Sequence, residues 1–220
     1  MIKAVIFDLD DLMVDHHRLS AGATGKVLEK YGHHYDEFPL VNKKRHIGMR
    51  VIDVIKDCVS FFHLPTSVFE LYKERMEIFL RIIRKKVIPR SGIKEVISLC
   101  ERLGLRLAVA SSGAREYIDI CLKGLRVKDK FEVIISGDDV KKGKPDPETY
   151  RVAIERLGLR PSECLVLEDA EIGVEAAKRV GAVCIGVVNP KTPKQNLQKA
   201  DLVVGSLEEI DEKTITSFSS

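Results

Sequence analysis

Three carboxylates crowd one short stretch of this chain: Asp8, Asp10 and Asp11 follow directly on the apolar block Ala4-Val5-Ile6-Phe7. The block is short and rich in β-branched residues, which predicts a strand buried on both faces of a sheet. In an open α/β sheet, ligands bind at the carboxyl end of the strands, where these acids lie. Carboxylates at alternate positions can face one site only if the backbone departs from regular pleating there. Packed together they repel, so the stretch asks for a cation.

Three other loops carry polar groups in the same way. Ser111-Ser112-Gly113 follows the apolar run Leu107 to Ala110, and Glu168-Asp169 follows Leu165-Val166-Leu167. Between them, Gly143-Lys144-Pro145-Asp146-Pro147 places a lysine just before a helix. Two acidic clusters on one edge suit a hard divalent ion with oxygen ligands, for which Mg²⁺ is the default. Ser111, the amides near Gly113 and the Lys144 ammonium would favour a phosphate. A carboxylate nucleophile, a metal, a phosphoryl cradle and a second carboxylate two residues on make a phosphoryl-transfer site.

The elements that must position these groups can be read from periodicity. Helical spacing at Ile93–Leu103, Tyr117–Leu122, Pro147–Leu157 and Val174–Val180 alternates with short apolar runs at Leu107–Ala110, Val133–Ile135, Leu165–Leu167 and Val183–Val188, and Leu202–Val204 makes a last strand. Such alternation implies right-handed crossovers and a parallel sheet covered by helices on both faces. From His16 to Val87 the pattern differs. Three helical segments, Ala21–Tyr31, Val51–Phe62 and Ser67–Arg84, are broken at Gly32-His33-His34, Ile47-Gly48-Met49 and His63-Leu64-Pro65, with Thr66 or Ser67 as a cap. This predicts a helical insert set over the sheet's carboxyl edge, joined by linkers near Val14 and Ile88, and a frayed tail at Ser217 to Ser220.

With 36 basic and 33 acidic residues, the charge is too balanced to argue for nucleic acid or membrane binding. No apolar run approaches the roughly 20 residues that span a bilayer, and no secretory pattern opens the chain, which predicts a cytoplasmic protein. Cys58, Cys100, Cys121, Cys164 and Cys184 are scattered, without a C-x-x-C pair, and read as buried reduced thiols.

Asp8-Leu9-Asp10, Ser111 after its strand, Lys144 in GKPDPETY and Glu168-Asp169 in LVLEDAEIGVEAA resemble, in order, the four motifs of the haloacid dehalogenase (HAD) superfamily, most closely its phosphatase and β-phosphoglucomutase subfamily. The resemblance implies an α/β fold: a Rossmann-like parallel sheet core (1–14 and 89–220) plus an all-helical cap domain (15–88). It further implies that Asp8 is the nucleophile and Asp10 the general acid and base. Mg²⁺ would be held by Asp8, the Asp10 backbone carbonyl and Asp169, with Glu168 beside it. Ser111, Ser112, Gly113 and Lys144 would bind the transferring phosphoryl group. The dehalogenase branch lacks a carboxylate at the position of Asp10, so phosphate chemistry is expected.

Asp11 departs from the pattern, since the family usually has glycine there. Either it points away from the site, or it weakens phosphate binding or offers another metal oxygen. The cap should choose the substrate, and His16, His17 and Arg50 are its candidate contacts, with Lys73 and Arg75 as further cations that a solvated face explains equally well. The β-phosphoglucomutases carry a histidine where this chain has Ser20, which weakens a mutase reading that Arg50 keeps open. The expected function is a Mg²⁺-dependent phosphatase of a small phosphorylated metabolite, with a sugar phosphate as the candidate; a sugar phosphomutase and a non-catalytic binding protein are the alternatives. Neither the substrate nor the choice of monomer or dimer is legible.

Overall fold

The structure, a computed structural model, describes residues 1–218. Six parallel strands, β1 (Ala4–Phe7), β2 (Arg106–Ala110), β3 (Val133–Ile135), β4 (Cys164–Glu168), β5 (Val183–Val187) and β6 (Leu202–Val204), form one sheet in the order β3-β2-β1-β4-β5-β6. β1 is central, pairing with β2 and with β4. Its four residues are fully buried, as their composition predicts.

Period-two alternation sends the β1 side chains to two cores. Val5 and Phe7 join a cluster with α5 (Ile93–Arg102) and α6 (Arg115–Leu125), through residues such as Val96, Ile97 and Ile118. Ala4 and Ile6 join a second, with Tyr150 and Ala153 of α7 (Glu148–Leu157) and Val174 and Ala177 of α8 (Glu171–Val180). Helices therefore cover both faces of the sheet. All five cysteines are buried and unpaired.

Four helices occupy the segment between β1 and α5: α1 (His17–Glu29), α2 (Leu40–His46), α3 (Val51–Phe61) and α4 (Val68–Ile83). Val27, Leu28, Phe38, Ile55 and Leu71 give this layer a core of its own, while Met76, Phe79 and Ile83 of α4 belong to the larger cluster beneath. Ser67 caps α4, its hydroxyl accepting from the Glu70 amide at 3.2 Å while Glu70 accepts from the Ser67 amide. Helix α2 escapes the sequence reading because its LVNKKRH carries no apolar stripe; Leu40 and Val41 are exposed. The two chain crossings are adjacent: Val14 bridges Pro89, Asp15 N–H donates to Ile88 O and Arg90 N–H to Met13 O, each at 2.9 Å.

At the other end, α9 (Glu212–Thr216) ends on Ser217, whose hydroxyl donates to Thr214 O at 2.8 Å, and Phe218 packs on the core. The fraying expected from Ser217 onward thus does not begin there; Ser219 and Ser220 lie outside the described residues.

Candidate active site

Asp8 leaves β1 on the side of Ile6 and meets Lys144, whose Nζ donates to Asp8 Oδ1 at 2.6 Å and to Glu168 Oε1 at 2.6 Å. Tyr150, one turn into α7, completes the cage, its hydroxyl 2.9 Å from Lys144 Nζ and donating to Glu168 Oε1 at 2.8 Å. The second Glu168 oxygen accepts the Ala170 amide at 2.8 Å. Lys144 is 4% exposed and Glu168 not at all, so the ammonium stands between two desolvated carboxylates. Burial opposes its charge, yet Asp8 and Glu168 overcome that and raise its pKa. The cage demands glycine nearby: a Cβ on Gly173 would lie 1.7 Å from Glu168 Oε1.

Asp10 diverges from Asp8. It accepts a hydrogen bond from the Tyr117 hydroxyl of α6 and lies 3.8 Å from His16 Nδ1. Burial lifts its pKa to about 6, although the Tyr117 bond works the other way. Directly after Asp10 the chain turns at Asp11, whose φ is 63°, in the left-handed region that glycine suits best. Asp11 Oδ1 accepts the amides of His16 at 3.0 Å and His17 at 2.9 Å and so starts α1, while its carbonyl accepts from Asn189 Nδ2 at 3.0 Å.

Asp169 is 2% exposed, and its Oδ2 has no hydrogen-bond partner. Burial first, then the charges of Glu168, Asp11 and Asp8, push its pKa well up. One oxygen each of Asp8, Glu168 and Asp169 lies within 4.8 Å of the others. A buried carboxylate oxygen without a donor, among like charges, is the environment a hard divalent cation would relieve, so the donor set fits Mg²⁺. Glu168 is less available than Asp8 and Asp169, since Lys144, Tyr150 and the Ala170 amide already occupy it.

Ser111 is wholly buried and its Oγ accepts the Gly113 amide at 2.9 Å, bending the chain after β2 into a loop ahead of α6. Ser112 turns elsewhere and donates to the carbonyl of Gly48 at 2.8 Å. Above lies a cleft lined by Asp10, Asp11, Ser112 and Gly113 from below and by His16, His17, Ser20, Tyr35, His46 and Arg75 from α1–α4 and their loops.

The predicted α1–α4 contacts fare differently. His16, held between the rings of Phe79 and Tyr117, and His17 both line the cleft; burial takes the His16 pKa down to about 4, so it stays neutral. Arg50 is not brought there. It pairs with Asp53 at 2.8 Å and donates to the carbonyls of Val140 and Lys141. Lys73 is not among the cleft residues, whereas Arg75 is, at 1% exposure. Tyr117, Tyr150 and Asn189 were missed. Asn189 follows β5, so extending the strand-end search to that strand would have found it.

Residues 5–187 match the family described as haloacid dehalogenase-like hydrolase. The chain belongs to that family. It is 30% identical over 210 residues to the validoxylamine A 7'-phosphate phosphatase of Streptomyces hygroscopicus subsp. limoneus, covering 96% of both chains. To the phosphorylated carbohydrates phosphatase of Thermotoga maritima it is 31% identical over 203 residues, covering 92% of this chain and 93% of that one. Among solved structures, β-phosphoglucomutase from Clostridium difficile superposes with a TM-score of 0.85 at 23% identity, covering 99% of this chain and 97% of the other. CbbY from Rhodobacter sphaeroides in complex with phosphate superposes at 0.82 with 25% identity, covering 95% and 96%. Within this HAD family the chain is a phosphoric monoester hydrolase. Among the described residues no helix is long and apolar enough to cross a membrane.

Proposed function

We propose that the protein is a Mg²⁺-dependent phosphatase of small phosphorylated metabolites, sugar phosphates foremost, working through an aspartyl-phosphate on Asp8. The observation that carries this reading is the different partner each of two acids in one loop meets: Asp8 is paired with a buried ammonium, whereas Asp10, its pKa lifted to about 6, meets a phenol hydroxyl beside the cleft. Burial pushes the Asp8 pKa up as well, and the Lys144 ammonium works against that rise, favouring the ionised form that attacks; the second group is suited to hold a proton and give it up.

Lys144 engages Asp8 Oδ1, which leaves Oδ2 to attack phosphorus. The P–O bond to the leaving group breaks, and Asp10 gives its proton to the departing oxygen. A water then attacks the aspartyl-phosphate, Asp10 takes its proton, and inorganic phosphate leaves with Asp8 restored. Ser111, the amides around Gly113 and Lys144 receive the phosphoryl oxygens. Asp8, the Asp10 carbonyl and Asp169 would hold Mg²⁺, which when bound neutralises charge on the phosphoryl group.

Residues 15–88 act as a cap over the core of 1–14 and 89–220, swinging about the paired segments at Val14 and Pro89. Closure excludes bulk water. The phosphatase names of the two relatives support hydrolysis, and "phosphorylated carbohydrates" supports sugar phosphates. The mutase alternative loses its cationic contact, because Arg50 faces the loop at Val140 and Lys141. Incubation with Mg²⁺ and a panel of phosphorylated metabolites, following inorganic phosphate and isomerised product together, tests this. Phosphate release abolished by Asp8→Asn is expected; isomer without phosphate, or no turnover across the panel, overturns it.

A further inference from the structure

The cleft holds a cation that this chemistry does not use. Arg75, midway along α4, is the only lysine or arginine among the described residues that line it. Its guanidinium carbon lies 4.4 Å from the centre of the Phe79 ring, and Nη2 donates to the hydroxyl and carbonyl of Ser20. Its Nε, buried, has no hydrogen-bond partner. Among the described residues no carboxylate forms an ion pair with Arg75.

A buried guanidinium without a paired anion is an expensive arrangement, because water no longer solvates its charge. Asp10 acts on Arg75 across the cleft and partly offsets its burial. The planar fork is also fixed in place, Nη2 by Ser20, Nη1 by the weak acceptor Met76 Sδ at 3.3 Å, with the Phe79 face beneath; with Nε unpartnered and Nη1 only weakly satisfied, it suits an oxyanion presenting two oxygens.

We propose that Arg75 receives a second anionic group, a phosphate or a carboxylate on the far part of the leaving group, so that the preferred substrates are phosphate esters bearing two anions. The inference rests on the phosphatase reading. It narrows the substrate class from sugar phosphates at large to bisphosphates or phosphorylated acids. Ser20 is the positioning residue: its hydroxyl orients the guanidinium and does not itself meet the ester.

The test compares KM within two pairs of compounds, glucose 1-phosphate against glucose 1,6-bisphosphate, and glucose 6-phosphate against 6-phosphogluconate. A charge-assisted contact predicts a KM about tenfold lower for a two-anion member, and the pair that shows it tells phosphate from carboxylate. Arg75→Met should raise KM for that member about tenfold more than for its one-anion partner, with Arg75→Lys recovering part of the difference; circular dichroism checks that both variants fold. Equal KM within both pairs, or an equal rise for both members, overturns the proposal. If no compound releases phosphate, the phosphatase reading fails separately. Calorimetric titration of Asp8→Asn, with and without Arg75→Met, by the same compounds in Mg²⁺ then decides the Arg75 question: a two-anion preference lost with Arg75 upholds it, and equal affinities reject it.

Discussion

The Ser112 hydroxyl donates to the Gly48 carbonyl at 2.8 Å, tying the loop after β2 to the turn between α2 and α3 across 64 residues of sequence. Position alone suggests that Ser112 binds phosphate; in the structure its hydroxyl reaches the α2–α3 turn. Gly48 suits the close approach, with φ 79° and room for no Cβ, which would stand 2.9 Å from that of Ala170. Ser112→Ala should weaken closure by about 1 kcal/mol, the value of one hydrogen bond. Faster amide exchange around Gly48 and a KM raised about fivefold are expected; exchange no faster than wild type sinks that role for the contact.

Lys144 balances Asp8 and Glu168 where water does not reach. Lys144→Met strands two buried carboxylates, so a stability loss of about 3–5 kcal/mol is expected together with loss of turnover. Urea unfolding in the absence of Mg²⁺ measures it. A loss under about 1 kcal/mol, the scale of an exposed ion pair, would count against the buried cage.

Gly173 and Glu168 should show coupling. Gly173→Ala drives a methyl into the Glu168 carboxylate, for which overpacking predicts about 1–3 kcal/mol of destabilisation and misplacement of Lys144. In the background of Glu168→Ala the same change should be nearly silent. Additive effects in that double-mutant cycle would refute the steric account.

Tyr117 sets the pH profile. Its hydroxyl bond favours the ionised form of Asp10 and so restrains a pKa that burial has raised to about 6. In the proposed mechanism Asp10 enters protonated, so kcat/KM should fall as pH rises through that pKa. Tyr117→Phe removes the restraint, raises the Asp10 pKa further and moves the falling limb to higher pH. A limb that stays in place or moves acid contradicts this.

Asp11 is the start signal of α1. Replacing it with glycine keeps the left-handed turn and removes the carboxylate from the His16 and His17 amides, costing a few tenths of a kcal/mol, as for other caps exchanged for glycine. Mg²⁺ affinity measured by calorimetry should stay within about twofold, since Asp11 lies outside the carboxylate trio. A larger change would make Asp11 part of the ion's site.

Much of this protein is written in local pattern. Apolar runs of three to six residues ending in polar groups specify parallel strands and the edge where their loops meet, and so Asp8, Ser111, Lys144, Glu168 and Asp169 can be assembled from order alone. The tertiary structure alone decides the partners. Asp8 and Asp10, two residues apart, go to Lys144 and Tyr117 on opposite faces of the sheet. Ser112 reaches the cap and Arg50 the core loop, while Arg75, one of many cations on paper, is the one buried in the cleft. Periodicity reports which way a side chain faces along its own element. How the α1–α4 layer is set over the sheet depends on contacts between residues dozens of positions apart, and that orientation determines which groups share the cleft.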